Sequence, residues 1–596
     1  MSRKLVWLVA SCLAVMALVL GSCGPAPVEE EAAVPEKKEV VTEEKKEAPE
    51  VVKEVAVEKE AEQPEHGGTL TFPNIDRSQG WRLCHSSAAN ENHLSYVYER
   101  LGTGDWTKGA SGTGECNYFY PGSTTPECRA GQLATSWEQP DPQTFIFHIR
   151  KGVHFQNKPP VNGREMTAED VAWSFMRYKE HPQSLAATLK QGLASAKALD
   201  KWTVEFKTSV EAPGAFGQFG WLICNFIHPH EVIDTYGEDG FFDWRHACGT
   251  GPFTVDDQVV GSSITYKRNP TYWCYDELHP ENQLPYVDYV RHLVIPDKST
   301  AMAALRTGKI DLATAGSDSA YSLKQTTPDL KYFSQTITQG NPMIHWRLDR
   351  EPFSDIRIRQ ALFMAIDREK IIKEYLRGEG TALSWPMCAA WPETVYTPIE
   401  KLPPAAKQLF EYNPERAKEL LAEAGYPNGF ETEVLTTDYY VERMSIFISY
   451  WEAIGIKAKL RLAEAAAYQA EVYGFKYPAM AAGPSGQGDP GTVLWYGYST
   501  SWINKNRQDD PYYDEGIDKI IATSDEIERN KLIKELAVYQ LEQAYQIAFP
   551  GEWTYVFWWP WLQGYHGEAS MGAHYSEGVI FARVWIDRNL KKTMGY

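Results

Sequence analysis

The chain has 596 residues, of which 43% are hydrophobic, and a formal net charge of −20 at pH 7. This length exceeds what one hydrophobic core supports and favours two or three domains. The acidic balance and the lack of a basic stripe that could neutralise phosphates argue against a nucleic-acid partner.

The first 23 residues have the pattern of a bacterial export signal. Arg3 and Lys4 precede an apolar run, Leu5–Leu20, which is long enough for a signal-peptide core and too short for a comfortable membrane span. The run ends in LGSC, which is similar to a lipobox, so we expect Cys23 to be lipidated. An ordinary cleaved signal and an uncleaved anchor are the alternatives. In each case the protein works outside the cytoplasm, facing the periplasm or the cell surface, and we expect no second membrane segment.

Residues 24–66 form an acidic stretch with 14 Glu, 6 Lys and no aromatic residue. Such a segment cannot bury enough apolar surface to offset its ordering entropy, so we predict a disordered or transiently helical tether. As a flexible coil it would span roughly 35–40 Å on average. The alternative is a solvated leader that has no spacing role.

The body of the chain, from Gly67 onward, alternates strand-like and helical patterns. Thr144–Ile149 alternates β-rich residues with polar ones and predicts a strand. Thr167 is a suitable N-cap for a helix, and Pro414–Ala424 predicts a helix that stops at the following glycine. Asp525–Tyr545 predicts a long amphipathic helix. Elements mixed at this density indicate α/β lobes.

Seven cysteines follow Cys23. In an oxidising compartment such residues often pair, and no CxxC motif points to zinc or redox chemistry. We expect Cys116 to pair with Cys128 and Cys224 with Cys248, although spacing alone does not determine connectivity. The odd number leaves at least one thiol unpaired. The seven are Cys84, Cys116, Cys128, Cys224, Cys248, Cys274 and Cys388.

Five blocks in the body occur in a recognisable order. They are Leu133–Tyr178, Gly249–Phe253 with Lys267–Trp273, Ala304–Asp311, Pro352–Ile372 and Tyr412–Phe430. Together they resemble the bacterial extracellular solute-binding proteins of family 5, which feed ABC importers for peptides, nickel complexes and some oligosaccharides. The similarity runs from Gly67 to about Trp585.

The resemblance implies an α/β fold of the type II periplasmic-binding-protein kind with an extra inserted domain. Its two lobes are joined by two crossing segments and enclose a ligand when they close about a hinge. By analogy, lobe I combines residues 67–99, 248–339 and 560–596, the inserted domain spans 100–247, and lobe II spans 340–559. The blocks themselves are mostly structural. We expect Arg357, Arg359 and Asp367 to satisfy caps and ion pairs, the alternative being an arginine that grips a ligand carboxylate.

The ligand cleft departs from the family pattern. Peptide-binding relatives carry Trp-x-x-Asp after a strand of the second lobe, and that aspartate pairs with the peptide's α-ammonium. Aligned on Asp489, Gly486 stands at the aspartate position and Gly483 at the tryptophan position. A buried ammonium would lose its charge-assisted bond there. Recognition of a free peptide N-terminus therefore requires Asp489 as a substitute, while the glycine-rich loop still lets a ligand approach backbone amides closely.

Aromatic residues supply the other indication of a ligand. The chain has 20 Trp and 33 Tyr, and rings with polar tips suit sugar faces or varied peptide side chains. Most of these rings are expected in the core, above all Val556–Trp559. The predicted ligand-binding residues are Trp81, Tyr118, Ser485, Gln487, Asp489, Trp495 and Trp553.

Other motifs give no support for catalysis. Residues 486–491 match GxGxxG formally, but Pro490 disfavours a dinucleotide loop. GxSxG, HExxH and Walker patterns are absent from the sequence. His228 and His230 could contribute to a metal site, but a polar turn is the favoured interpretation. We expect no catalytic residue, no metal and no cofactor.

The sequence thus predicts a monomeric, lipid-anchored binding protein of an ABC importer, which is not an enzyme. It would capture an oligopeptide-like solute by lobe closure and deliver it to the permease subunits in the membrane. An oligosaccharide is the alternative ligand. A surface hydrolase or peptidase and an adhesion or scaffold lipoprotein are the alternatives from other functional classes.

Overall fold

The computed structural model describes residues 63–74, 81, 88–119, 126–181, 192–209, 225–336, 341–486, 490–501, 503–571 and 576–596. Residues 63–596 form one compact unit. The predicted signal, the lipidation site Cys23 and nearly all of the predicted tether lie outside the described residues.

The strands are numbered in chain order. They are β1 (Thr69–Asn74), β2 (Gly102–Gly104), β3 (Arg129–Gly131), β4 (Ala134–Asp141), β5 (Thr144–Ile149), β6 (Leu193–Asp200), β7 (Thr203–Thr208), β8 (Phe253–Val259), β9 (Ser263–Arg268), β10 (Tyr289–Val294), β11 (Leu312–Gly316), β12 (Lys331–Thr336), β13 (Pro342–Trp346), β14 (Gly380–Thr381), β15 (Glu431–Thr436), β16 (Lys457–Leu462), β17 (Met480–Pro484), β18 (Gln546–Ala548), β19 (Gly551–Trp558), β20 (Leu562–Gln563) and β21 (Trp585–Ile586).

The α-helices are numbered in the same way. They are α1 (Ala88–Val97), α2 (Ala168–Glu180), α3 (Glu231–Tyr236), α4 (Lys298–Arg306), α5 (Ser317–Thr326), α6 (Ile356–Met364), α7 (Arg368–Lys370), α8 (Pro404–Lys407), α9 (Pro414–Glu423), α10 (Val441–Glu452), α11 (Ala465–Tyr473), α12 (Pro490–Trp495), α13 (Pro511–Ala522), α14 (Glu526–Glu542), α15 (Glu577–Ala582) and α16 (Arg588–Thr593).

The elements predicted from local patterns are present. Thr144–Ile149 is a strand, and helix α2 begins after Thr167, whose backbone N–H donates to the Asp170 carboxylate at 2.9 Å. Pro414 occupies the first turn of α9. Its missing N–H costs nothing there, because N–H groups in the first turn have no carbonyl within the helix to donate to. Helix α14 falls within the predicted Asp525–Tyr545.

Lobe I is built on two sheets. The first has the strand order β1-β10-β9-β8, with β1 parallel to β10, and the second has the order β11-β19-β12, with β14 paired to β19. A third sheet of this half of the molecule, β4-β5-β7-β6, lies within the predicted inserted domain. Its buried side chains share one hydrophobic core with lobe I, which joins residues 70–330 to residues 555–586.

Lobe II is built on one mixed sheet. Its strand order is β16-β15-β17-β13-β18, with β15 parallel to both β16 and β17. The large core of this lobe contains side chains between residues 344 and 549 only. The two lobes therefore have separate cores and separate sheets.

The predicted boundary between the lobes at residues 559 and 560 is wrong. Strand β19 pairs with β11 and β12 and belongs to lobe I, so the chain returns from lobe II before Gly551. The Val556–Trp559 stretch has the alternating pattern of a buried strand in either lobe, and only the long-range pairing decides between them.

The cysteine pairings have different outcomes. Cys116 and Cys128 form a disulfide, as predicted. Cys248 is a free, buried thiol, so the predicted bond between Cys224 and Cys248 is not formed. Cys224 and Cys84 lie outside the described residues. Cys274 and Cys388 are free and buried as well.

The charged residues of the Pro352–Ile372 block are structural. Arg357 pairs with the Asp355 carboxylate at 2.6 Å, and Arg359 donates to the carbonyl of Phe353 at 2.7 Å. The Asp367 carboxylate accepts from the backbone N–H three residues later at 2.8 Å, which caps α7. The predicted role in caps and ion pairs is confirmed.

The two ends of the compact unit meet on lobe I. The Glu65 carboxylate lies 3.5 Å from the guanidinium of Arg588 in α16. A Cβ built on Gly68 would lie 3.3 Å from the side chain of Ile586 in β21. The last residues of the predicted tether, which belong to the compact unit, and the carboxyl-terminal helix therefore share one face.

Candidate functional site: the gap between the lobes

Two connections cross between the lobes. One runs from β12 to β13 and the other from β18 to β19. They lie side by side, because the Phe549 backbone N–H donates to the Pro342 carbonyl at 2.8 Å. Residues 337–340 of the first connection lie outside the described residues. Paired crossings of this kind are the structural element about which two lobes can rotate.

The edge of the lobe II sheet beside the crossings is where strands end. Strands β15 and β17 are parallel, so their carboxyl ends meet at one edge, and β13 begins at the same edge because Pro342 pairs with Pro484. The Ser485 backbone N–H donates to the Asn341 carbonyl at 2.8 Å. We call Asn341, Pro342, Pro484 and Ser485 the hinge edge. A crevice outside the carboxyl ends of strands is the usual ligand position in open α/β sheets.

Lobe I faces the hinge edge with the start of β19. Trp553 pairs with Thr336, the last residue of β12, and Gly551 pairs with Thr381 of β14. A Cβ on Gly551 would lie 2.8 Å from the Thr381 hydroxyl and 3.2 Å from the Thr336 methyl group. Glycine is thus required for these strands to approach.

Several buried side-chain polar atoms beside the crossings have no hydrogen-bond partner within the described part of the chain. Leaving such an atom unsatisfied costs about 1–3 kcal/mol, so each needs a water or a ligand group. Both lobes contribute to the set, which lies on strands and loops next to the crossings. These atoms are Gln335 Oε1, Thr381 Oγ1, Ser485 Oγ and Trp553 Nε1.

Ion pairs join the lobes on either side of the gap. Arg443 of α10 and Glu552 of β19 form a bidentate pair, with one contact at 2.9 Å. Arg129 of β3, next to the Cys116–Cys128 disulfide, lies 3.2 Å from Glu526 at the start of α14. The side chains of this second pair are 18% and 24% exposed. The lobes are in contact, as in a closed arrangement.

Two of the predicted ligand-binding residues lie elsewhere. The Trp81 side chain is 3% exposed and donates from Nε1 to Gln258 at 3.0 Å. Tyr118 is 1% exposed, and its hydroxyl donates to the Asp105 carbonyl at 2.8 Å. Both belong to lobe I packing, so their assignment to the gap is wrong. Their aromatic character signals a core here as readily as a ligand contact.

The other predicted residues divide into three groups. Ser485 bonds to Asn341 after the first crossing and Trp553 pairs with Thr336 before it, and each has a polar atom without a partner among the described residues. Trp495 ends α12 and is half-buried against a secondary core of lobe II. Gln487 and Asp489 lie outside the described residues.

The two glycines at the positions of the relatives' Trp and Asp are closely covered. A Cβ on Gly486 would lie 2.0 Å from the ring of Tyr496 and 3.1 Å from that of Trp385. A Cβ on Gly483 would lie 2.1 Å from the Tyr468 hydroxyl. Neither position can hold a larger side chain unless the aromatic residue above it moves.

Lys505 also lies at the hinge edge, and no sequence pattern predicted it there. Its ammonium donates to the Pro484 carbonyl at 3.4 Å, at the hinge edge. Burial lowers the pKa of Lys505 to about 8. A single lysine among asparagines carries no local pattern that separates it from an exposed one.

A comparison with known proteins identifies the family. The profile for bacterial extracellular solute-binding proteins, family 5 Middle, matches residues 130–505, which is more than half of the chain. The chain belongs to this family. Its match covers segments of both lobes and ends at the lysine that reaches the hinge edge.

Individual relatives of this family-5 protein share less than a third of its residues over the aligned regions. Heme-binding protein A of Haemophilus influenzae is 28% identical over 454 residues, which cover 72% of this chain and 79% of the relative. Di/tripeptide-binding protein 1 of Pseudomonas aeruginosa is 29% identical over 437 residues, which cover 68% and 77%. The ABC transporter-associated periplasmic binding protein DppA from Helicobacter pylori, in complex with the peptide STSA, matches with a TM-score of 0.69 at 23% identity. That match covers 88% of this chain and 99% of the other, and it confirms the two-lobed α/β binding-protein fold.

The remaining histidine motif has no metal-site geometry. His228 is buried, and burial lowers its pKa to about 3, while His230 pairs with Asp234 at 2.5 Å. Within the described ranges, no cluster of three potential metal ligands occurs. Over the same ranges, no helix combines the length and apolar character that crossing a bilayer requires.

Proposed function

We propose that this protein is the solute-binding component of an ABC importer and that its solute is an oligopeptide. The observation that carries the proposal is the gap itself. Two lobes with separate cores are joined by paired crossings, and next to these crossings buried polar atoms of both lobes have no partner among the described residues. A solute between the lobes would satisfy them, and family membership supports that role.

The polar atoms at the gap favour a peptide over a purely apolar guest. Ser485 Oγ can donate to a backbone carbonyl or accept from a backbone N–H, whereas Trp553 Nε1 can only donate, to a carbonyl. The names of two similar proteins refer to peptides, and that of a third refers to heme. An oligosaccharide could also bond to these atoms and is the alternative.

Capture requires no chemical step. A solute that contacts both lobes binds the closed arrangement more tightly than an open one and shifts the equilibrium toward closure. The permease would then receive the closed form. We therefore propose a binding protein without catalytic activity.

The proposed location follows from the leader. Lipidation at Cys23 and a tether over residues 24–66 would hold a monomeric body beside the membrane that contains the permease. Metabolic labelling with a fatty-acid analogue tests the anchor, since Cys23→Ser should abolish incorporation.

Native mass spectrometry of the purified protein tests the function, followed by calorimetric titration with peptides of two to nine residues and with oligosaccharides. We expect peptide adducts and saturable peptide binding without a change in peptide mass. Binding of oligosaccharides alone would replace the ligand class. Cleavage of the peptides, or the absence of binding to either library, would contradict the proposal.

A further inference from the structure

The Lys505 side chain lies along the lobe II sheet and reaches the gap. The Lys505 carbonyl accepts a hydrogen bond from the Tyr477 hydroxyl, and Tyr477 precedes the amino end of β17. The Lys505 ammonium bonds to Pro484, at the carboxyl end of the same strand. The chain thus places the amino group at the hinge edge, although its backbone lies farther along the sheet.

The ammonium group has no anionic partner in the described part of the chain. Its contacts are the Pro484 carbonyl and the ring of Tyr473, whose centroid lies 5.6 Å away. Burial lowers the pKa of Lys505, and over the described ranges no carboxylate forms a salt bridge with it. By contrast, Arg461 of β16 on the same sheet pairs with Glu471 at 2.7 Å. A half-buried cation without a counter-ion destabilises a protein unless something else supplies the charge.

Neighbouring groups favour an anion at this place. The Ser485 and Tyr468 hydroxyls are buried and unpartnered, and each can donate a hydrogen bond. Tyr468 lies against Gly483, and Ser485 follows the carbonyl that Lys505 contacts. Two hydroxyls and one ammonium are a suitable donor set for a carboxylate.

The covered glycine adds to the argument. The Tyr496 ring occupies the space that a side chain on Gly486 would need, so this position has no acidic group. An ammonium group of a solute at this edge would meet Lys505 and be repelled, whereas a carboxylate would be attracted.

We propose that Lys505 is a specificity-determining residue that binds a carboxylate of the solute at the hinge edge. The proposal rests on the proposed function and names the group that this part of the gap recognises. The carboxylate is either the carboxyl terminus of a peptide or an acidic side chain.

Calorimetric titration of Lys505→Met and wild type with four peptides tests the proposal. Two of the peptides are one neutral sequence with a free carboxyl terminus and the same sequence as its carboxyl-terminal amide. The third is that amide with one residue replaced by Glu, and the fourth is the free acid with an acetylated amino terminus. We expect Lys505→Met to bind the preferred acid about ten-fold or more weakly, in line with the loss of one charge-assisted bond, and the neutral amide within about two-fold of wild type. Lys531→Met, on an exposed face of α14, is the matched control and should bind all four as wild type does.

Comparing the peptides distinguishes a carboxyl terminus from an acidic side chain as the group that Lys505 binds. A preference for the free acid over both amides assigns the peptide terminus, and a preference for the Glu-containing amide assigns the side chain. N-acetylation should change affinity little. A wild type that binds the free acid, the neutral amide and the Glu-containing amide equally overturns the role of Lys505 and leaves the peptide-binding function intact.

Thermal melting separates a binding role from a structural one. Without solute, Lys505→Met should melt at or above the wild-type temperature, because an unpaired charge has been removed. With saturating acid peptide, its gain in melting temperature should be smaller than that of wild type. A lower melting point without solute, together with unchanged affinity, would mean that Lys505 only supports the fold. If the protein binds acidic oligosaccharides in a Lys505-dependent way and binds no peptide, the peptide assignment is overturned and the carboxylate site is kept. If it binds none of these solutes, the proposed function and the role of Lys505 are both overturned.

Discussion

The two ends of the aromatic segment 552–561 behave differently, although their compositions are alike. At the carboxyl end, Trp559 donates from Nε1 to the Leu305 carbonyl at 2.8 Å and Trp561 donates to the Asp311 carboxylate at 2.8 Å, and both are buried. At the amino end, Trp553 is half-buried and its Nε1 has no hydrogen-bond partner among the described residues. Trp558, which is buried in the lobe I core, likewise has an unpartnered Nε1 over the same ranges. The two ends therefore differ in burial and hydrogen bonding together, and neither aromatic density nor an unpartnered N–H alone marks a ligand contact.

A substitution at the hydrogen-bonded carboxyl end of the segment should have the largest effect on stability. Trp561→Ala deletes a fully buried ring and leaves the Asp311 carboxylate without one of its donors, so we expect a loss of about 3–5 kcal/mol in the free energy of unfolding. Urea denaturation measures it. A loss under about 1 kcal/mol would show that the carboxyl end is not core.

Lobe I also contains a carboxyl group, that of Glu577, whose ionisation should make the stability of the fold depend on pH. Glu577 accepts a hydrogen bond from Tyr96 at 3.3 Å, and burial raises the pKa of Glu577 to about 7 from 4.5. Between these pH values the folded protein keeps a proton that the unfolded chain releases, so stability falls as pH rises from 4.5 to 7 and stays lower above that. We expect Glu577→Gln to remove this slope and to add about 2–3 kcal/mol at pH 8 while changing little at pH 4.5.

The measurement for Glu577 is the free energy of unfolding against pH, with Tyr96→Phe as a companion variant. Tyr96→Phe removes a hydrogen bond that favours the ionised form, so it should raise the pKa of Glu577 further and extend the loss of stability to higher pH. Equal slopes in wild type and Glu577→Gln would mean that Glu577 titrates as an ordinary exposed acid.

A substitution at the amino end, where Trp553 lies, should change the affinity for the solute more than the stability of the fold. Trp553→Ala should weaken solute binding by about ten-fold and cost about 1 kcal/mol or less in unfolding, because the ring is only half-buried. Trp553→Phe keeps a ring without the N–H donor, so an intermediate affinity would assign part of the effect to that bond. If Trp553→Ala destabilises the protein as much as Trp561→Ala, the contrast between the two ends fails.

The smallest expected effect concerns the contact between lobes. Arg129→Met should remove the pair with Glu526, worth about 1 kcal/mol or less, and enlarge the radius of gyration of the solute-free protein slightly in solution scattering. Arg416→Met, whose pairs with Glu419 and Glu423 lie within lobe II, is the control and should leave the radius unchanged. Identical scattering from the two variants would mean that Arg129 does not favour closure.

Local signals predicted local structure well. The helix cap at Thr167, the proline start of α9 and the Cys116–Cys128 bond all depend on residues close in sequence. The place of β19 in lobe I depends on pairing with strands more than two hundred residues away, as the Gly316–Thr554 register illustrates, so the lobe boundary was misplaced.

The site was harder to predict than the fold, for physical reasons. Trp81 and Tyr118 are hydrophobic residues with polar tips, and such residues serve cores and ligands equally. Ser485 and Trp553 could be proposed from loop and aromatic character, yet only three-dimensional accounting reveals their unsatisfied atoms. Lys505 becomes informative because no counter-ion pairs with it in the part of the chain that the structure describes, and sequence does not record that.

The contact between Glu65 and Arg588 has a practical consequence for attachment. Because the chain enters and leaves the compact unit on one face of lobe I, both natural points of immobilisation belong to the same half of the molecule. Among the described residues, no disulfide links lobe II to lobe I, so the two crossings are its covalent connection there. A sensor chip coupled at either terminus would therefore leave the other half free to swing, and a fluorophore on lobe II would report the motion.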